Sequence, residues 1–319
     1  MQRSYGRVAM NVLVTGGAGY LGSILCEHLL ARGHRVTVLD NFLFGQQTLF
    51  HLCANPNFQI VRGDGRDMTA VEKLLPSADV IIPLAAYVGA PMCDRDPITA
   101  TAINFEAIRD LNRRRSPQQL LIYPTTNSGY GTKSGATFCT EETPLEPISV
   151  YGQTKCDAEA DVLASPNSIT LRLATVFGCS PRMRIDLLVN HFVYAAVTDG
   201  YIVIFEKDFK RNYVHIRDVA DCFLHCIDNS PAMIGRPYNV GLDAANLSKE
   251  ELALKVKEHV SKFYIHFSEV GSDPDKRNYI VSNQRLREAG FEAKRGLDEG
   301  IAELVKAYSM LKKTQLGNV

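Results

Sequence analysis

The segment MNVLVTGGAGYLGSILCEHLLARGHRVTVLDN, residues 10–41, constrains the fold more than any other part of the chain. A short apolar run ends at Val14 or Thr15, a glycine-rich turn follows, and Leu21, Ile24, Leu25 and Leu29 then recur at helical spacing. Gly33 stops the helix, and RVTVLD forms a second strand with Asp40 at its end. The segment therefore reads as a β-α-β unit of roughly 30 residues. Gly16, Gly19 and Gly22 are spaced GxxGxxG. Glycines so placed permit a turn with positive φ, leave room for a pyrophosphate against backbone, and let helix and strand pack closely. The helix N-terminus then offers N–H groups to phosphates, so the unit reads as a dinucleotide site. Asp40 suits the hydroxyls of an adenosine ribose and repels a 2′-phosphate, while Asn41 supplies no cation to receive one. The expected cofactor is NAD rather than NADP.

Strand and helix signals alternate onward. FQIVRGDGRD reads as strand and loop, DVIIPLAAYVG as a buried strand, ITATAINFEAIRDLNRRR as a helix and QQLLIY as another buried strand. This alternation predicts an α/β fold built on a Rossmann-like, doubly wound parallel sheet. The run Arg113 to Arg115 ends a helix, where cations suit the dipole. Charges balance, 35 Lys and Arg against 35 Asp and Glu, so no global field draws the chain to nucleic acid or an anionic membrane. The eight cysteines include no CxxC pair, which argues for reduced thiols and a cytoplasmic protein. Cys222, His225 and Cys226 could share a helical face, but zinc would lack a fourth ligand, and no metal is expected. The opening MQRSYGRVAM lacks the apolar core of a signal peptide, and no apolar run approaches the roughly 20 residues of a membrane span.

The stretch YPTTNSGYG, residues 123–131, places polar hydroxyls at the end of an apolar strand. A turn capped by a threonine would account for it, and so would a site that holds a substrate hydroxyl. Downstream, Tyr151 and Lys155 stand four residues apart, on one face of an amphipathic helix. Hydride transfer needs such a pair: a hydroxyl gives its proton to a base while its carbon gives hydride to nicotinamide. A free tyrosine, with a pKa of about 10, is a poor base, but a neighbouring ammonium and an oxidised nicotinamide both favour its phenolate. Tyr308 and Lys312 share the spacing but lie near the terminus with no partner site.

Gly16 to Gly22, Asp40, Gly63 with Asp64, LAA at 84–86, Asn104, the stretch from Thr126 to Gly131, and Tyr151 with Lys155 together resemble the extended short-chain dehydrogenase/reductases that act on nucleotide sugars. The resemblance continues in LRLATVFG at 171–178, RNYVHIRDVA at 211–220 and DPDKRNYIVSN near the end. It implies catalytic roles for Thr126, Tyr151 and Lys155. Cofactor contacts are implied for Gly16, Gly19, Tyr20, Leu21, Gly22, Asp40, Asn41, Asp64, Gly65, Leu84, Ala85, Ala86, Asn104, Tyr151, Lys155 and Leu173. Substrate contacts are implied for Thr126, Asn127, Ser128, Thr175, Arg182, Arg184, Asn190, Arg211 and Arg277, with Arg211 and Arg277 matching diphosphate-binding arginines. The family likeness further implies an NAD-binding domain over residues 1–180, joined again by about 210–230, a smaller substrate-binding lobe made mainly of residues 181–319, and a homodimer.

Asn127 and Ser128 stand where dehydratases of this family carry Asp-Glu, and neither supplies the acid and base that loss of water needs. No other acid/base pair is visible in the loop, which leaves reversible oxidation at C4 of a nucleotide-diphosphate sugar. TNSGYG, RLATVFG, SPRMR and DPDKR resemble a subgroup that includes C4-dehydrogenases acting on GDP-heptoses in capsule and related glycan pathways. A 4-epimerase using the same oxidation is the alternative. Some proteins of this fold bind a dinucleotide as sensors, but they typically lose the tyrosine or lysine, and both are present here.

Overall fold

The computed structural model describes residues 9–45, 47–133, 138–269 and 277–311. Its central sheet has seven parallel strands: β1 (Asn11–Thr15), β2 (Arg35–Asp40), β3 (Phe58–Arg62), β4 (Val80–Pro83), β5 (Leu120–Thr126), β6 (Ser168–Leu173) and β7 (Arg236–Val240). Their order is β3-β2-β1-β4-β5-β6-β7. A parallel sheet needs cover on both faces, and the alternation of side chains along each strand divides two cores between them. Val12, Val14, Val36, Val38 and Ile122 face one core, shared with Ile24, Leu25 and Leu29 of helix α1 (Tyr20–Ala31). Leu13, Leu39, Ile81 and Leu121 face the other, closed by Val71, Ile108, Leu111, Ala158 and Val162.

Strand order reverses between β1 and β4: the chain runs outward from β1 through β2 to β3, then crosses back to β4 on the other side of β1, and at such a point a crevice opens beyond the carboxyl ends of the strands. The segment predicted as one helix from Ile98 winds in three pieces, Pro97–Thr101, Ala102–Glu106 as a π-helix and Ala107–Arg114. π turns of this kind often sit at functional sites, and Asn104 lies in this one.

After Leu173 the chain leaves the sheet. Thr175–Phe177 pairs with Lys210–His215, which pairs in turn with Asn246–Ser248. Lys210–His215 thus lies outside the main sheet, because the strand it pairs with has already parted from β6. The return to the first body is made by helix Ile216–Asp228, packed on α1, and β7 completes it at Val240. Helix Leu188–Thr198, the paired strands Tyr201–Phe205 and Tyr264–Ser268, and helices Lys249–His259 and Leu297–Ser309 build the remaining body. Ile280–Val281 pairs with Phe138–Cys139, and Lys133 N–H donates to Asn278 O at 2.8 Å, which brings the segment starting at Arg277 beside the loop that follows β5. Among the described residues no helix is long and apolar enough to cross a membrane.

Candidate active site

The glycine turn is held by its own backbone. Gly16 takes φ +74° and donates its N–H to Leu39 O at 2.8 Å; a Cβ there would stand 2.5 Å from Ala85 N, so the turn can approach the 84–86 segment only as glycine. Helix α1 starts immediately afterwards with no side-chain cap and no acidic residue in its first turn. Its first N–H groups have no intrahelical acceptor and carry the positive end of the dipole, which suits a pyrophosphate. Asp40 Oδ2 accepts Ala18 N–H at 2.9 Å and Oδ1 accepts Phe42 N–H at 2.7 Å, so this carboxylate fastens the glycine turn to the loop after β2.

A pocket opens over these groups. Gly16, Gly19, Asp40, Asn41, Asp64, Gly65, Leu84, Ala85 and Ala86 line it together with Phe44, Arg66, Tyr87 and Arg182. Arg66 clasps Asp64 through Nε at 2.9 Å and Nη2 at 2.7 Å and holds its carboxyl down at about 2, so Asp64 is an anion throughout the physiological range. An uncapped helix start, a backbone-lined turn and a carboxylate at the end of β2 fit an adenine dinucleotide.

Other residues of the implied cofactor and substrate sets buttress this pocket. Tyr20 is buried and donates its hydroxyl to Gly178 O at 2.7 Å. Asn190 donates to the Tyr20 hydroxyl at 3.1 Å and to Arg184 O at 2.9 Å, while its Oδ1 accepts Gly178 N–H at 3.1 Å. Leu21 packs on the core and Gly22 against Gly16 and Gly17. Asn104 is fully buried; it bonds Tyr87 N–H and Tyr87 O at 2.9 Å each and reaches Thr154 at 3.4 Å, so it ties the 84–87 segment to the helix that carries Tyr151. Leu173 ends β6 opposite Thr126, and Thr175 lies opposite Tyr213.

The polar strand end closes on itself and on the segment that starts at Arg277. Thr126 Oγ1 accepts Ser128 N–H at 3.1 Å, the threonine turn, and donates to Ser128 Oγ at 2.9 Å. Arg277 donates to that same Ser128 hydroxyl. Asn127 is buried, with no hydrogen-bond partner for its amide oxygen or nitrogen among the described residues. Helix Val150–Leu163 begins at Ser149, whose hydroxyl accepts Gly152 N–H at 3.1 Å, and carries Tyr151 and Lys155 a turn apart.

The electrostatics differ from the expected pairing. Lys155 is buried with its Nζ 4.1 Å from the centre of the Tyr123 ring, and burial pulls its pKa down to about 7. Burial raises Tyr151, while the charges of Arg184 and Arg277 and the Thr126 hydroxyl favour its phenolate. The cations that assist the phenolate are therefore Arg184 and Arg277, both on segments that follow the Tyr151 helix in the chain. Arg184 is held by Asp186, with Nε 3.1 Å from its carboxylate. Arg182, two residues earlier, turns to the dinucleotide pocket and stacks 3.9 Å from the Phe44 ring centre. Arg211 is buried, 5.5 Å from the Tyr279 ring centre, and donates to Lys210 O at 2.9 Å.

Tyr308 is buried in the terminal helix with no hydroxyl partner among the described residues, and its spacing mate Lys312 lies outside them, as does the DPDK portion of the quoted motif. His225 bonds Ala289 O at 2.8 Å, while Cys222 and Cys226 are buried in the core. Sequence reasoning missed Arg66, Phe44 and Tyr123. Arg66 had a local signal, two residues after Asp64 in GDGRD; the others meet their partners only through tertiary packing.

The model of the NAD dependent epimerase/dehydratase family matches residues 12–241. The chain is 26% identical to UDP-glucuronic acid decarboxylase 1 of Arabidopsis thaliana over 95% of this chain and 71% of that protein. It is 28% identical to a low-salt glycan biosynthesis protein of Haloferax volcanii over 94% of this chain and 98% of that one. Its fold matches the crystal structure of a UDP-glucuronic acid 4-epimerase from Bacillus cereus, bound to UDP-glucuronic acid and NAD, with a TM-score of 0.83 at 24% identity, covering 95% of this chain and 100% of that one. With the family model spanning the glycine turn, Asp40, Thr126, Tyr151 and Lys155, the chain belongs to the NAD-dependent epimerase/dehydratase family, enzymes that act on nucleotide sugars.

Proposed function

We propose that this enzyme oxidises the C4 hydroxyl of a nucleotide-diphosphate sugar, as a C4-dehydrogenase acting on a GDP-heptose in glycan biosynthesis. The observation that carries the reading is the loop after β5: Thr126 comes within reach of Tyr151, and the two residues that follow it are an amide and a hydroxyl instead of acids. Thr126 hydrogen-bonds the C4 hydroxyl, and Tyr151 takes its proton. Arg184 and Arg277 stabilise the tyrosinate, Lys155 holds the nicotinamide ribose, and Arg211 and Arg277 receive the diphosphate. Bound NAD supplies the acceptor for the C4 hydride. Residues 1–180, rejoined by the 210–230 region, hold the cofactor, and residues 181–319 mainly hold the substrate. The same reading makes the enzyme a cytoplasmic homodimer.

A 4-epimerase is the second reading, because the groups that oxidise C4 are also those that reduce it again once the ketone has turned over. Incubating the protein with UDP-, GDP- and dTDP-sugars, GDP-heptose and UDP-glucuronic acid included, in deuterated water separates the readings by cofactor absorbance and product NMR. The dehydrogenase yields a 4-keto sugar and NADH. The epimerase yields the inverted C4 configuration with no net NADH and no solvent deuterium at C4. Loss of the C6 hydroxyl with deuterium uptake, or release of carbon dioxide from UDP-glucuronic acid, would overturn both.

A further inference from the structure

Behind the reacting groups lies a buried charge network that neither the pocket nor the proton transfer uses. Arg172 of β6 and Glu159 of helix Val150–Leu163 are 7% and 4% exposed and meet through Nε at 2.9 Å and Nη2 at 2.6 Å. Nη1 of the same guanidinium donates to the Tyr130 hydroxyl at 3.0 Å and to Glu141 O at 3.2 Å. Tyr130 donates onward to Asn239 Oδ1 of β7 at 2.7 Å. Tyr130 ends the 3₁₀ turn Asn127–Tyr130, Arg172 sits opposite Thr125 in the β5–β6 register, and Glu159 lies one turn beyond Lys155. A single guanidinium thus touches the helix bearing Tyr151 and Lys155 and the end of the turn that starts at Thr126. Buried ion pairs commonly return no more stability than an apolar pair of equal volume, so stability alone is a weak reason for this one.

We propose that Arg172 and Glu159 are positioning residues for hydride transfer, fixing the Thr126–Tyr130 turn against the Tyr151–Lys155 helix. The proposal rests on the C4-oxidation reading for its kinetic consequence and on the hydrogen-bond network for its structural one. Misplacing reacting groups by an ångström costs on the order of 100-fold in rate. Arg172→Lys and Glu159→Gln keep a donor and an acceptor of similar size, and Arg172→Met with Glu159→Leu replaces the pair by apolar bulk.

The expected result is a kcat at least roughly tenfold lower in all three, with KM and NAD affinity close to wild type, and with an apolar double variant that melts as high as wild type yet stays slow. Hydrogen exchange of amides 126–131 should quicken in Arg172→Lys while that of 16–22 holds. Full kcat in the apolar double variant, or unchanged exchange of 126–131 in Arg172→Lys, would overturn the proposal. A wild-type enzyme that leaves C4 of every sugar untouched would overturn the reaction reading instead, and the exchange measurement would still decide the positioning.

Discussion

Replacing Asp40 by alanine removes more than a ribose partner. Its two oxygens accept Ala18 N–H at 2.9 Å and Phe42 N–H at 2.7 Å, one from the glycine turn and one from the loop across the pocket. Hydrogen bonds to a charged acceptor contribute about 1.5–3 kcal/mol each, and both donors are near enough to solvent to recover part of that from water. The net loss expected is therefore about 1–3 kcal/mol, or roughly 1.5–4.5 °C in melting temperature for a chain of this size. Asp40→Asn keeps one acceptor but sets an NH2 group against the other donor, so it should fall between alanine and wild type. Titrating each variant with NAD and NADP reads the second consequence. Wild type should prefer NAD, and loss of the carboxylate should reduce that preference by about tenfold or more, equivalent to ~1.4 kcal/mol. Wild-type preference for NADP, or an alanine variant that melts and discriminates like wild type, would contradict both roles of Asp40.

Tyr151→Phe should abolish hydride transfer with NAD binding intact, and Thr126→Val should lower kcat roughly tenfold or more, whereas Tyr308→Phe, which removes a hydroxyl with no partner, should change neither; steady-state rates and NAD titration check all three. Lys155 is held down to about 7 from 10.5 by burial, so its charged form destabilises the fold most fully below pH 7, and the penalty shrinks as pH rises towards 10.5 and the unfolded chain alone keeps the proton. Lys155→Met should accordingly raise the melting temperature more at pH 6 than at pH 9 while abolishing turnover; an equal gain at both values would contradict the assignment. Phe44→Ala removes the ring stacked on Arg182 at the edge of the pocket, a cation–π contact of about 0.5–1 kcal/mol, and stopped-flow release of NAD should quicken by roughly two- to fivefold.

The legible part of the fold was what local chemistry dictates. The glycine turn, the strand ending in Asp40 and the alternation of apolar strands with helices are written in adjacent residues, and the seven-stranded parallel sheet follows from them. The π turn at Asn104 was not legible, since its widening depends on what Asn104 must reach: Tyr87 and Thr154, both distant in sequence. Lys155 gave the same difficulty. Spacing put it on the Tyr151 face of the helix, but its ring partner Tyr123 comes from β5 and its burial from the packed sheet, so its lowered pKa could not be read from a motif. Arg184 and Arg277, read as substrate contacts, also bring positive charge to bear on Tyr151, from positions distant from it in sequence. The buried network of Arg172, Glu159, Tyr130 and Asn239 joins two strands, a turn and a helix and has no spacing signature at all.

In the proposed reaction hydride leaves C4 of a nucleotide sugar for NAD under the control of Thr126, Tyr151 and Lys155. Its most direct test is a set of UDP-, GDP- and dTDP-sugars carrying deuterium at C4, incubated with the wild-type enzyme and NAD and followed by mass spectrometry of cofactor and sugar. For the substrate that reacts, deuterium should move to the nicotinamide ring, wholly in wild type and not at all in Tyr151→Phe. Reaction with the deuterium retained at C4 throughout and never found on the cofactor, or transfer that proceeds unimpaired in Tyr151→Phe, would contradict it.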